Sequence, residues 1–458
     1  MCPAGTNSWT NKFSSDRLSA QLEPAQFHNP QPSGQPAPAQ PQAGGLRVEP
    51  IRVLFLNTRD TLGADVAVHI TLARAFDKTL VQVWAATGFH ETGVDSARAE
   101  FKAIQDLTVF SLDLGRPMWG EHRTGRLMAV VANIRGAANL VSLAFRCRRE
   151  NIDVIHVTDR PRDALFGLIL ARLAGCVCLI HAHTNYTPHE FTHMSKWVFR
   201  NSDAIVGVSS FTAATYRNAA ALNIRQVYAL PNAVDTTLFG KCVTSEQRLA
   251  MRQRLDVPAG VPLIVCVARL MRWKDQATLL EALAQLGHGF PHVCLALAGA
   301  DKDISPDGNG SYRDYLSRRA RALNIENRVR FVGYLSRLEM PLFYAAADIV
   351  AHPAIGEPFG LAVIEGMFCA RPVVAVGAGG IPEIIRDGID GLLVPPGQPA
   401  AMAAALRRVL SDPALAARLA AAGRERVLTH YTPALQAAGM LDIYRSVVGP
   451  QRRRIRSS

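Results

Sequence analysis

Val261-Pro-Leu-Ile-Val-Cys-Val-Ala-Arg-Leu270 is a short apolar run, rich in β-branched residues, that ends on a cation. It is too short for a buried helix and reads as a strand buried on both faces of a parallel sheet. In 275–287, which follows, Leu279, Leu280, Leu283 and Leu286 share one helical face. Further strands are expected at 292–298, 328–332, 347–351 and 372–376. The same alternation has already run once upstream. It opens with Ile51-Arg-Val-Leu-Phe-Leu-Asn57 and helical spacing over 66–76. Apolar runs follow at 80–86, 107–112, 152–157, 176–181 and 203–208, with the longest helical stretch near 121–149. Two rounds of strand and helix predict an α/β protein of two doubly wound, Rossmann-like parallel sheets. The segment between the rounds, Asn232 to Ser245, is short for a linker, so the two domains face each other across a cleft. Ligands in such sheets bind beyond the carboxyl ends of the strands.

The chain has 458 residues, a length that suggests about three domains. Residues 24–50, rich in proline and glutamine, could not fill a core, so 1–50 is expected to be a disordered tail. The expected units are then 51–240, 241–431, a helix at 432–450 that packs back on the first domain, and a basic tail at 451–458. With 48% apolar and 19% charged residues the body is globular. The net charge is +12, of which Arg452, Arg453, Arg454 and Arg456 supply four. The remainder suits an anionic ligand or an anionic membrane face, and nothing calls for nucleic acid. The eight cysteines form no C-x-x-C pair, so a structural zinc site is not expected and reduced thiols in a cytoplasmic setting are. The first residues carry no apolar stretch of a secretory leader. The apolar run from Ala164 to Ile180 is interrupted by Arg172 and Gly175, and it reads as a helix followed by a strand.

Gly356-Glu-Pro-Phe-Gly-Leu-Ala-Val-Ile-Glu365 holds the chemistry. Pro358 keeps Glu357 extended, and a helix is expected to begin near Gly360. Glu365 then lies about 7 Å along it. Between the two carboxylates the amides of Phe359, Gly360 and Leu361 are left unpaired at the positive end of the helix. Such an arrangement fits an anion flanked by two polyols, as in a nucleoside diphosphate sugar. Helix capping is the plain alternative for either glutamate alone. Arg269 and Lys274, expected at the carboxyl edge of the same sheet, add two cations that can neutralise a departing diphosphate.

In order along the chain come Arg269…Lys274, Val332-Gly-Tyr-Leu335, Glu357-x7-Glu365, Gly379-Gly-Ile-Pro-Glu383 and Asp387-Gly-Ile-Asp-Gly-Leu-Leu-Val394. This series resembles the nucleotide-binding half of the retaining glycosyltransferases of family 4, which have the GT-B fold. The first half is similar more loosely, through Asp153-Val-Ile-His156, Ala171-Arg-Leu-Ala-Gly175, Ser202-Asp-Ala-Ile-Val206 and Leu230-Pro-Asn-Ala-Val-Asp235. The resemblance implies a UDP- or GDP-sugar donor, a hydroxyl acceptor on a sugar or lipid-linked chain, and work in cell-surface polysaccharide or glycolipid synthesis. It also implies roles. Arg269 and Lys274 bind the diphosphate, Glu357 faces the transferred sugar and Glu365 the ribose. Backbone at Tyr334 and Leu335 meets the base. His183 or His181 faces the reacting sugar. The resemblance implies no other cofactor and no metal. The family's paired-glycine loop after the first strand is replaced by Asp60-Thr-Leu-Gly-Ala-Asp65, where Gly63 stands alone, and Gly366-Met-Phe-Cys369 replaces a run of small residues.

Other readings compete. His189-Glu-Phe-Thr-His193 fits the zinc-protease pattern but has no third ligand at a familiar spacing. Asp301-Lys-Asp303 looks like a metal-holding D-x-D but reads better as a surface loop. Gly377-Ala-Gly379 is a weak fragment of a dinucleotide fingerprint. The altered Gly63 loop favours a catalytically silent sugar-binding or membrane-surface scaffold. The arginines at 123, 126, 135, 146, 148 and 149 surround an apolar middle. An ordinary exterior helix is the plainer reading, and peripheral docking on the anionic inner face of a membrane is the second.

Overall fold

The computed structural model describes residues 49–90, 96–114, 126–186, 190–220, 227–287 and 289–454. Nearly all of the Pro/Gln-rich segment, Arg123, His189 and the last four residues lie outside these.

Seven parallel strands form the first sheet. They are β1 (Ile51–Asp60), β2 (Val81–His90), β3 (Thr108–Ser111), β4 (Val154–Thr158), β5 (Val177–Ala182), β6 (Ala204–Gly207) and β7 (Val227–Ala229), in the order β3-β2-β1-β4-β5-β6-β7. Six more form the second: β8 (Leu263–Val267), β9 (Cys294–Ala298), β10 (Val329–Gly333), β11 (Ile349–His352), β12 (Val373–Val376) and β13 (Leu392–Val394), in the order β10-β9-β8-β11-β12-β13. Side chains alternate across a pleated strand, so each sheet builds two cores. Leu263 and Val265 enter the core on one side of β8, Ile264 and Cys266 the core on the other. The leucine face of the Gln276–Gln285 helix fills the second of these. Likewise Val53 and Phe55 of β1 point one way, Leu54 and Leu56 the other. The helix Pro433–Arg454 returns to the first sheet, where Met440, Leu441 and Tyr444 pack against Val53 and Phe55.

The strand β1 is longer than the apolar run suggests, because its polar end is satisfied. The amide and hydroxyl of Thr58 both donate to Asp163, and Asp60 accepts from Ser96 and the Arg98 amide. Buried polar groups with partners cost the strand little. Cys176 and Cys178 lie in one core as reduced thiols, and that of Cys176 donates to the Ile152 carbonyl at 3.1 Å. The helix Arg126–Arg149 buries Leu140, Leu143, Ala144 and Cys147 and turns Arg135, Arg146, Arg148 and Arg149 outward, as an exterior helix does. Among the described residues no helix is long and apolar enough to cross a membrane.

Strand order reverses between β1 and β4 in the first sheet and between β8 and β11 in the second. At such points adjacent connections leave in opposite directions and open a crevice.

Candidate active site

The β8/β11 crevice is lined from both strands. Past β8 the Arg269 guanidinium is exposed, and among the described residues it has no hydrogen-bonding or charged partner. Gln276 anchors the backbone there by donating to the Arg269 carbonyl at 3.0 Å. Lys274 closes a single 3₁₀ turn and is buried, with Nζ 4.0 Å from the centre of the Trp273 ring. It forms an ion pair with Glu357. From β11, His352 Nε2 lies 3.1 Å from the same carboxylate. Burial alone would push the Glu357 carboxyl up, but Lys274 and His352 outweigh it and hold the group well below the usual carboxylate range. Glu357 is therefore an anion at every physiological pH.

The helix Leu361–Phe368 begins directly after this loop. Gly360 precedes it at φ 120°, a conformation only glycine adopts freely, and a Cβ there would meet Ile381 at 2.6 Å. Among the described residues no acceptor is bonded to the amides of Phe359, Gly360 or Leu361. The loop is held from behind by the Gly379-Gly380 turn. Gly380 donates to the Glu357 carbonyl at 2.8 Å, and Gly379 approaches that carbonyl so closely that no side chain fits. One turn along the helix, Glu365 accepts a hydrogen bond from Tyr344 at 2.9 Å. Burial pushes its carboxyl up to about 7, with Tyr344 and Arg337 opposing. Tyr334 is exposed beyond Gly333, at the end of β10, and Leu335 is buried beside it.

The first domain reaches this loop directly. Asn185 donates to the Gly356 carbonyl at 3.1 Å, and Ser209 and Thr212 both donate to the Pro358 carbonyl, at 2.6 and 3.0 Å. In return Glu383 accepts from the amides of Ser210 and Phe211, which open the helix Ser210–Ala220. A carboxylate at that end satisfies orphan donors and complements the helix dipole. Gly63 precedes the helix Ala64–Ala75, with the Arg160–Asp65 ion pair (2.7 Å) beside it. His183 lies just past β5, two residues before Asn185, and is partly exposed; His181 is wholly buried in β5.

Lys274 and Glu357 are thus in contact, with Arg269, the open amides and Glu365 on the elements around them. Gly63 and His183 belong to the carboxyl edge of the other sheet. Of the zinc-protease motif, His193 opens a helix behind a Thr192 cap, and His189 lies outside the described residues. Asp303 is bonded to Arg272, and Asp301 only bridges Leu270 in a loop. Sequence reasoning missed His352, Tyr344, Asn185, Ser209 and Thr212. A signal for His352 existed, since it ends a strand beside the motif. The others are brought in only by tertiary packing.

Two family profiles match the chain: "Glycosyl transferases group 1" over residues 247–426 and "Glycosyltransferase Family 4" over 67–238. A D-inositol 3-phosphate glycosyltransferase of Salinispora tropica is 34% identical over 209 residues, covering 44% of this chain and 42% of that protein. A second, from Kineococcus radiotolerans, is 33% identical over 49% of this chain and 52% of its own length. The chain therefore spans about half of these curated relatives. A 2-deoxystreptamine glucosyltransferase of Streptomyces kanamyceticus is 27% identical over 69% of this chain and 83% of its own. Among solved structures, Anabaena HepE in complex with UDP and glucose superposes with a TM-score of 0.70 at 22% identity, over 86% of this chain and 100% of that one.

Proposed function

This chain belongs to glycosyltransferase family 4 and carries the GT-B fold, and from that premise we propose that it transfers a sugar from a nucleoside diphosphate sugar to a hydroxyl acceptor with retention at the anomeric carbon. The observation that carries this reading is the group at the β8/β11 crevice: a permanent carboxylate at Glu357, a free cation at Arg269, a shared cation at Lys274 and unpaired amides at a helix start. As the bond from the anomeric carbon to the phosphate oxygen breaks, its electron pair stays on the diphosphate. Arg269, the remaining N–H groups of Lys274 and the amides of 359–361 stabilise that charge, while Glu357 faces the cationic sugar. The acceptor oxygen then bonds to the carbon from the face the diphosphate leaves, and its proton passes to a departing phosphate oxygen. These groups carry the neutralisation, so added magnesium or manganese leaves the rate unchanged. His183 lies across the cleft on the sugar side, and Glu365 accepts from the ribose hydroxyls.

The test is a thermal-shift panel of UDP- and GDP-sugars, followed by incubation of the stabilising donor with hydroxyl acceptors. The expected product has the donor's anomeric configuration. An inverted product, or no stabilisation by any member of the panel, refutes the reading. A second reading, a silent sugar-binding scaffold, is favoured by the Arg160–Asp65 pair standing against Gly63 in the altered loop. Nucleotide release from the bound donor separates the two. A lipid-linked acceptor would bring the outward arginines and exposed Phe145 of the Arg126–Arg149 helix to an anionic membrane face. Sedimentation with anionic liposomes at low salt is the expected outcome, and equal recovery in the supernatant with and without liposomes removes that assignment.

A further inference from the structure

The first domain holds a second constellation that the transfer reaction does not use. His69 of the helix Ala64–Ala75, His156 of β4 and His181 of β5 meet in its core, each with no solvent exposure. One ring nitrogen from each lies within 4.8 Å of the other two. Both ring nitrogens of His69, both of His181 and Nε2 of His156 have no hydrogen-bond partner in the protein. A buried polar atom without a partner loses its hydration for nothing in return, and native cores rarely contain five in one place. The rings do not compensate one another by pairing N–H to nitrogen. His69 and His156 meet edge to face at 4.7 Å between centroids, and His156 and His181 at 5.3 Å.

The other nitrogen of His156 is occupied: Nδ1 lies 2.6 Å from the Tyr444 hydroxyl, brought by the returning C-terminal helix. With the Nδ1 proton on that hydrogen bond, Nε2 presents its lone pair to the cluster. A hydrogen bond at the far nitrogen is the usual support of a metal-ligating imidazole. Burial keeps all three rings neutral, which is the ligating form. We propose that His69, His156 and His181 bind one transition-metal ion of the zinc or cobalt class. Three imidazoles without a carboxylate or thiolate suit that class and not calcium or magnesium. In a tetrahedral site with Zn–N near 2.0–2.1 Å the ligand nitrogens stand about 3.3 Å apart. Binding would require the rings to turn about χ2, a torsion that is broad for histidine. The nearby Arg160 opposes a cation, but its guanidinium is paired with Asp65. The ion would tie a helix and two central strands together beside His183, whose ring centre is 4.4 Å from that of His181. It is separate from the diphosphate crevice and takes no part in neutralising the leaving group.

The test uses the full chain without a polyhistidine tag, produced in zinc-supplemented medium, and measured for metal as isolated. The protein is then stripped with a chelator and titrated with cobalt(II), followed by visible absorption and thermal melting. The expected result is one zinc per chain as isolated, and one cobalt per stripped chain with the intense ligand-field bands of a four-coordinate site. Melting should fall on stripping and recover with metal. His69→Asn and His156→Gln are made in parallel, so that misfolding of one leaves the other, and both should lose the stoichiometric ion. His193→Ala, in the lone H-E-x-x-H motif, should keep it. Metal well below one per chain both as isolated and after titration, with unchanged melting, overturns the proposal and leaves buried water as the partner of these nitrogens. Undiminished metal in a folded His69→Asn or His156→Gln variant overturns it as well.

Discussion

The two strand-order reversals make an instructive pair. At β8/β11 the polar groups are charged, partnered and open to a ligand: Lys274 and Glu357 neutralise each other, His352 supports them, and Arg269 and three amides remain to be used. At β1/β4 the rim carries Gly63 and Arg160, and below it three imidazoles are sealed in the core, with five of their six ring nitrogens unpartnered in the protein. The same topology therefore yields one crevice that can accept an anion and one floor that cannot. The difference lies in charge and burial, not in the strand order.

The largest effect expected from breaking this contrast is at Lys274. Lys274→Ala should lower transfer roughly a hundredfold or more, equivalent to about 3–4 kcal/mol. It should also lose stability, because Glu357 is left as an uncompensated buried charge, at a cost of about 3–5 kcal/mol. The double variant Lys274→Ala/Glu357→Gln should regain most of the melting temperature and none of the activity. Equal melting of the single variant and the parent would show that the pair is not buried in solution.

Arg269→Ala should leave melting unchanged, since the side chain is exposed and unpaired, yet weaken nucleoside diphosphate binding by ~1.5–3 kcal/mol as read by calorimetry. Next comes pH. Glu365 holds its proton up to about 7 in the folded chain, against an ordinary value of 4.5. The folded state then binds more protons than the unfolded one across that window, so stability falls as pH rises through it. Glu365→Gln should flatten this slope in melting curves recorded from about pH 4.5 to about pH 7. An unaltered slope would assign it to another group. The smallest effect is expected across the cleft: Glu383→Ala removes the cap on the Ser210–Ala220 helix and should cost about 0.5–2 kcal/mol of stability.

How much of this could be read in the residues depends on distance along the chain. The repeated strand–helix pattern was legible, because each buried strand is a local apolar run. Within the crevice, Glu357, Gly360 and Glu365 share one continuous segment and were legible as a unit. Asn185, Ser209 and Thr212 were not, since short polar residues at strand ends are common and only the facing of the two domains gives these three a partner. Tyr344 was hidden because it reads as a core aromatic. The histidine cluster draws on a helix and two strands, and in sequence each member is an unremarkable polar interruption. His181 and His183 were indistinguishable there. Burial separates them, placing His181 in the floor and His183 at the rim.

The most direct measurement of the central claim is calorimetric titration of UDP and GDP into the parent chain, Arg269→Ala and the folded double variant Lys274→Ala/Glu357→Gln. The account predicts that the parent binds at least one of the two nucleotides and that both variants bind it at least roughly tenfold more weakly, the loss expected when a charge-assisted contact to the diphosphate is removed. Equal affinity in all three proteins would contradict it, and would move the diphosphate away from the β8/β11 crevice.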